Sequence, residues 1–547
     1  MHRPKRLWRF QSREAAQECS PRRKPWDTSD PHPAKPRRGV RKFRQLGIAL
    51  ILALLLALLS CSQPPNPNTL VMIIESSPTN LDPRIGVDAQ SERIDELIFD
   101  ALFTRDEHFN VRPGLAESWD TPDPLTYVLH LRHGVNFHNG QPLTSRDVKW
   151  SLESLLDKKI RSTKTTAYRF IDRIEAPDEF TVVLHLKEPY DSLLWNLSEG
   201  AIGIVPYGAL DELASKPIGS GPFKFVSAEQ DKEVILEHND NYWGGKPKLA
   251  QVRFAVVPDA TTRALELRKG SADIAINAFS SDTVLALEAN PNLQVERAPG
   301  TILSYMSFNM RDPILRDVRV RQAIACAIDR RPLIQYIWRG FAQPATSVLP
   351  IQSWAYNAAA TGFAYDPAQA RAILDAAGYP AHDGVRFHLT MKTSTEESTR
   401  LLAAVFQQQF REIGIVLDIR TFEFSTFLAD VTSGSFQVYS LRWIGNEDPA
   451  IFDMAFHSRN FPPAGRNRGF YSNSRVDTLI DQARREPDQK IRRQMYFEVQ
   501  QILAREVPYV NLWYFDNVLV HTKRVNGLTL NLSGNYNFLK TAQITTQ

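Results

Sequence analysis

The segment SLRWIGNEDPAIFD (440–453) gathers side chains able to do chemistry: a guanidinium at Arg442, an indole at Trp443 and adjacent carboxylates at Glu447 and Asp448. Paired carboxylates perform general acid–base work when their surroundings push their protonation states apart. Acid pairs in loops are common, however, and Asp448-Pro449 also reads as the start of a helix. Trp443 serves a ligand face or a core, and Arg442 a carboxylate partner or a solvated surface.

Other candidates for catalysis fall away. His130, His133 and His138 invite a metal reading, but His130 and His133 sit on or near a strand, where a separation of three puts side chains on opposite faces. Their spacing matches neither an H-E-x-x-H helix nor a cysteine-bearing zinc site. There is no G-x-S-x-G elbow and no Walker loop. GSGPF (219–223) lacks the adjacent lysine–serine pair that completes a phosphate loop and reads as a tight crossing turn. No catalytic residue, metal or cofactor is assigned, and an enzyme is not expected.

Cys61 carries a different chemistry. Residues 1–45 are rich in Arg, Lys and Pro, and an apolar run from Leu46 to Ser60 follows. Fifteen residues suit the apolar part of a signal peptide and fall short of the ~20 needed to span a bilayer. Leu58-Leu59-Ser60-Cys61 resembles a bacterial lipobox, which makes residues 1–60 a signal peptide and Cys61 the lipidated first residue of the mature chain. Residues 61–69 then form the lipidated end and a flexible tether. Cys19 leaves with the signal, so Cys326 remains alone and makes no internal disulfide. Its small, apolar neighbours in VRQAIACAIDRR predict a buried, inert thiol.

The net charge of +4 belongs to the leader. Residues 1–60 hold 14 Lys/Arg and 4 Asp/Glu, which leaves 61–547 at −6. A basic nucleic-acid surface has no support in that balance. The 547 residues, 43% hydrophobic, suggest about three domains of ~150 residues each.

The elements that position these residues alternate. LVMII (70–74) reads as a buried strand. Tyr127, Leu129 and Leu131 follow a strand period, with a tight turn at Asn139-Gly140. Thr144 and Asp147 have capping-box spacing ahead of a helix whose face is Val148, Leu152 and Leu155. Strands are predicted at 181–186 and about 252–257, and a helix that stops near Gly270. Asp366-Pro367 opens a helix closed by Gly378. A strand at 385–391, a helix at about 397–412 and a strand at 415–421 follow. This alternation predicts an α/β fold built on sheets.

Several stretches carry a resemblance. RPGLAESWDTPDPLTYVLHLRHGVNFHNGQPLTSRDVKWSLESL (112–155) closely resembles the signature block of family 5 extracellular solute-binding proteins, the dipeptide-, oligopeptide- and nickel-binding components of ABC importers. GSGPFKF, NDNYWGGKP, LRKGSADI, SFNMRDPILRDVRVRQAIACAIDR and DPAQARAILDAAGYP look like later landmarks of that family, in its order. The resemblance implies a two-lobed, periplasmic-binding-protein-like fold of the large peptide-binding class (type II), with an extra inserted domain. By that analogy residues 66–108, 218–310 and 508–547 form domain I, 109–217 the inserted domain II, and 311–507 the opposing domain III. The chain then crosses between lobes near Asn309 and Pro508.

The implied function is capture of a peptide or peptide-like solute for an ABC permease and its ATPase subunits. The protein would be a monomer held outside the bacterial cytoplasm by a lipid on Cys61. A non-peptide cargo (oligosaccharide, nickel chelate or haem) is the alternative on the same fold, with an enzyme or chaperone behind it. Peptide-binding relatives carry an Asp three residues after the Trp at the position of Trp443, and that Asp pairs with the peptide α-ammonium. Here the residue is Asn446, which supplies no charge. Either Glu447 or Asp448 takes the role, or the ligand lacks a free α-amine. The resemblance adds Glu75, Ser76 and Ser77 at the end of the first strand, Tyr305 and Asn309 at one crossover, and Trp513 and Tyr514 near the other, as ligand contacts or hinge packing.

Overall fold

The computed structural model describes residues 69–545 except 158, 199, 201 and 464. The expected signal peptide, Cys61 and the expected tether up to residue 68 lie outside the described residues. Among the described residues no helix is long and apolar enough to cross a membrane.

The apolar run after the tether becomes the strand Thr69–Ile74, buried at every position. It pairs in parallel with Gln251–Val256 and Ile274–Ile276 at the centre of a seven-stranded sheet. A continuous rather than alternating apolar run suits this place, because both faces are covered. Leu70, Met72 and Ile74 enter one core, and Val71 and Ile73 enter the core on the other face. The helix Ala260–Lys269 ends at Gly270, whose φ of 78° needs a residue without Cβ, and leads into Ile274–Ile276 as its sequence predicts.

A second, six-stranded sheet has Leu303–Phe308 near its middle. Tyr509–Phe515 and Val438–Trp443 flank it antiparallel, and Phe387–Ser394 pairs in parallel with Ile415–Phe422. Pairing of Leu303 with Tyr514 and Ser307 with Tyr509 commits both segments to this sheet. Leu293–Ala298 and Asn517–Thr522 belong to the first sheet. The chain therefore passes between the large sheets at 299–302 and at Asp516, not near Asn309 and Pro508. The two passages run side by side: the Phe515 N–H donates to the Ile302 carbonyl at 3.0 Å. A Cβ on Gly300 would stand 2.3 Å from the Phe515 carbonyl oxygen, so glycine permits this approach. Cys326 is fully buried in the helix Val318–Ala327, and burial pushes its thiol up to about 11.

The third sheet, four-stranded, is ordered Ala116–Asp123, Thr126–Leu131, Thr181–Leu186, Ile171–Asp178. Its buried face meets the helix Ser145–Leu156 through Val148, Leu152 and Leu155. The Thr144 N–H donates to Asp147 Oδ2 at 2.8 Å, as the capping-box spacing predicts. In the tight turn, Gly140 takes the positive φ (85°).

GSGPF is the return from this third sheet into the strand Phe223–Glu229 of the first. His138 pins it: Nε2 lies 3.0 Å from the Gly221 carbonyl, and Nδ1 accepts the Gly219 N–H. Burial lowers the His138 pKa to about 4, so the ring stays neutral and offers one donor and one acceptor. A Cβ on Gly219 would lie 2.0 Å from the Ile98 carbonyl oxygen. Gly219→Ala is expected to destabilise the protein by about 2 kcal/mol or more, read as a lower urea midpoint at unchanged slope.

Candidate functional site

Four neighbouring residues of the 440–453 segment have four different surroundings. Trp443 ends its strand buried, nearly parallel to Tyr305 with ring centroids 6.0 Å apart, and the Arg468 guanidinium lies 5.8 Å from its ring. Asn446 is fully buried and donates to the Val348 carbonyl. Glu447 accepts the Thr301 hydroxyl at 2.7 Å and is thereby tied to one of the two passages between the sheets. Asp448 precedes the helix Ala450–Phe456 and accepts the Ala450 N–H at 2.8 Å.

Asp448 also faces a cavity of about 700 Å³. One wall comes from the third sheet and its loops, with Phe109, Trp119, Tyr190 and Trp195. The other, attached to the six-stranded sheet, has Trp354, Asp448 and Arg492. The loop after the strand Thr181–Leu186 crosses the gap. The Ser192 hydroxyl donates to Asp448 Oδ1 at 2.9 Å and lies 3.4 Å from Asp191 Oδ1. The Tyr496 hydroxyl donates to Asp191 Oδ2 at 3.0 Å. The Asp191 N–H donates to the Arg484 carbonyl, and Arg484 reaches Glu188 at 3.3 Å. Nearby, the Trp354 N–H donates to the His108 carbonyl, and Gln489 donates to Asn110. The walls are thus linked by polar contacts rather than by a shared apolar core.

Two carboxylates from different sheets therefore share one hydroxyl. Burial raises both, and the proximity of Asp448 adds to the rise at Asp191, whose pKa is about 7. Removing a carboxylate from water disfavours its charged form, and a like charge nearby does so further. Arg492 Nε stands 4.0 Å from Asp191 Oδ2, too far for a hydrogen bond. Among the described residues no basic side chain forms an ion pair with Asp448.

Elsewhere the sequence candidates scatter. Arg442 lies 4.7 Å from the Phe515 ring and lines a separate cavity of about 260 Å³ with Ser394, Glu396 and Phe424. Glu75 and Ser76 are exposed, and Ser77 accepts the Asp231 N–H at 2.7 Å. Tyr305 lies between Trp443 and Tyr509, 4.3 Å from the latter ring. Asn309 ties its own strand end to the Gly434 and Phe436 carbonyls. Trp513 is fully buried against Trp338, and the Tyr514 hydroxyl meets the Ser347 and Leu349 carbonyls. Of these residues only Asp448 lines the large cavity.

Asp191, Ser192, Trp354 and Arg492 were missed by sequence reasoning. The one local cue was a polar and aromatic mixture, EPYDSLLWN (188–196), in a stretch without strand or helix period. The histidines are structural: His130 meets Asp120 at 2.9 Å and His133 packs on Phe180. Among the described residues no group of three or more His, Cys, Asp or Glu is arranged to hold a metal.

Residues 110–463 match the model of the bacterial extracellular solute-binding proteins, family 5, middle region. The chain is 30% identical over 471 residues to the glutathione-binding protein GsiB of Escherichia coli (strain K12), covering 84% of this chain and 91% of that protein. Among solved structures it is similar to the periplasmic binding protein DppA of Helicobacter pylori in complex with the peptide STSA. That match has 30% identity, a TM-score of 0.70, and covers 87% of this chain and 98% of the other. NikZ of Campylobacter jejuni in complex with Ni(L-His) matches at 25% identity and a TM-score of 0.73, over 87% and 99%. Sequence kinship and shared architecture agree, and the chain belongs to the family 5 bacterial extracellular solute-binding proteins.

Proposed function

We propose that this protein captures peptides or peptide-like solutes in the cavity between the third sheet and the six-stranded sheet, and delivers them to an ABC permease. The carrying observation is Asp448: a buried carboxylate that accepts from a hydroxyl and a backbone amide and, among the described residues, forms no ion pair, with Arg492 and Arg105 acting on it from beyond contact. Enclosing an anion without a counter-charge is costly, and a ligand ammonium entering the cavity supplies one. Glu447 is already engaged by Thr301, so Asp448 rather than Glu447 takes the role for which Asn446 has no charge. The peptide and glutathione cargoes named for the relatives DppA and GsiB both carry a free amine and support this reading.

Binding works through closure. The walls belong to different sheets, so a solute touching both favours the closed arrangement by its extra contacts there, and the permease recognises that form. Lipidated Cys61 would hold the mature monomer at the outer face of the cytoplasmic membrane, or in the periplasm of a two-membrane cell. The 61–69 tether leaves it free to turn. No step of this cycle requires catalysis or a cofactor.

Calorimetry with amine-bearing peptides is expected to show Asp448→Asn weakening binding by about 10- to 100-fold, the scale of a lost charged hydrogen bond. Glu447→Gln should change it little, and N-acetylation of the peptide should mimic Asp448→Asn. Equal affinity for the acetylated and free peptides would exclude this anchor. A carboxyl that holds its proton more tightly folded than unfolded stabilises the empty protein at acid pH and loses that contribution as pH rises. With Asp191 at about 7 against an ordinary 3.8, the empty protein should lose stability between about pH 4 and pH 7. Thermal melts of Asp191→Asn should show a flatter slope across that window. Cys61→Ser should move the protein from the membrane fraction to the soluble fraction and abolish labelling by a palmitate analogue.

A further inference from the structure

The face of the six-stranded sheet that carries the Trp443 ring holds a second group of polar atoms, outside the cargo cavity. Ser307 stands opposite Tyr439 on one neighbouring strand and opposite Tyr509 on the other, and residues directly opposite point to the same face. Tyr305 is on the same strand as Ser307 at the same parity and shares that face. Its ring centroid lies 4.3 Å from that of Tyr509 and 6.0 Å from those of Tyr439 and Trp443. All five side chains are buried. Their hydroxyls and the Trp443 indole N–H are close enough to act on one another, yet none makes a hydrogen bond of good geometry to a described protein atom. Buried polar groups are nearly always partnered, so a whole cluster without partners points to a ligand. Arg468 covers the cluster. Its loop is held down by Asn467, which donates to the His457 and Tyr471 carbonyls, and by the Met310 N–H, which donates to the Gly469 carbonyl at 2.9 Å. The guanidinium carbon lies 5.8 Å from the Trp443 ring centroid and acts on all three phenols. Arg468 is half-buried, and among the described residues it forms no ion pair.

From this cluster we infer that Tyr305, Ser307, Tyr439, Trp443, Tyr509 and Arg468 form an internal site for a monatomic anion, a halide. The group is a ring of donors around a cation. Indole and guanidinium N–H groups only donate, and hydroxyl hydrogens turn to suit. Burial raises all three phenols above their ordinary range, so they keep the protons they would donate. A cation would meet Arg468 at close quarters, and a water molecule would leave that charge unbalanced. A halide accepts from every donor and cancels the charge. Rings packed at 4.3–6.0 Å leave little space, which suits a single atom and rejects sulfate or phosphate. The bound ion fastens the 466–470 loop to three strands and steadies Trp443, from which the segment bearing Asp448 departs. None of the six residues lines the cargo cavity, so the site does not depend on what that cavity holds.

The test melts the wild-type mature protein in sodium gluconate, with sodium chloride or bromide exchanged in at constant ionic strength. Halide is expected to raise the melting temperature, with the folding equilibrium constant gaining about elevenfold at about ten times the dissociation constant. Tyr439→Phe removes one hydroxyl and keeps the ring, so it should need about threefold more halide, or more, for the same shift. Arg468→Gln should abolish the shift. Wild-type crystals grown in bromide should show an anomalous peak between the Tyr439 and Tyr509 hydroxyls and Trp443 Nε1. Identical melts in gluconate and halide overturn the inference, as does a halide shift that both variants retain in full. A bromide peak without a halide-dependent melt marks an adventitious ion and overturns it too, and so does an ordered water with no anomalous signal at that position. The wild-type measurements need no substitution, so a variant that fails to fold leaves them decisive.

Discussion

A charge taken out of water must meet an opposite charge, and that requirement organises this molecule. Asp191 and Asp448 come from separate sheets and are enclosed together, with a serine hydroxyl between them and a guanidinium just beyond hydrogen-bond reach. The arrangement is self-consistent in two ways: the pair keeps a proton, or a cation arrives.

The sheets hold the two carboxylates in register without fusing them. The seven- and six-stranded sheets have separate cores on both faces, so each behaves as a unit. The third sheet has a core of its own around Leu129, Leu152 and Leu184. Contacts across the cavity are polar and few, including Ser192 to Asp448, Tyr496 to Asp191 and Gln489 to Asn110. Such bonds exchange readily with water when the walls part.

Local structure was legible in the sequence wherever local chemistry decides it. The buried run at 70–74, the cap at Thr144 and Asp147, the glycine stop at 270 and the Asp366-Pro367 helix start all appear in place. The passages between sheets were misplaced because their position depends on which strands pair. The family analogy assigned residues 303–308 to domain I, and only the register that sets Tyr514 opposite Leu303 moves them to the six-stranded sheet. The site followed the same division. Asp448 stands in the motif around Trp443 and was a sequence candidate; the structure places it on the large cavity. Its partner Ser192 lies 256 positions away, and the contact from Tyr496 to Asp191 spans 305. No period or spacing encodes contacts of that length. Trp513 and Tyr514 illustrate the converse: placed beside a crossover they suggest a ligand face, yet adjacent strand residues point to opposite sides, and here each side has its own core.

The paired passages at 299–302 and Asp516 have a mechanical consequence. Two backbone segments lying edge to edge, bonded from Phe515 to Ile302 and pressed together over Gly300, form a short ribbon. A ribbon bends more easily out of its plane than within it. Any change of angle between the two large sheets must be taken up by these few residues, because they carry the two backbone links between the sheets.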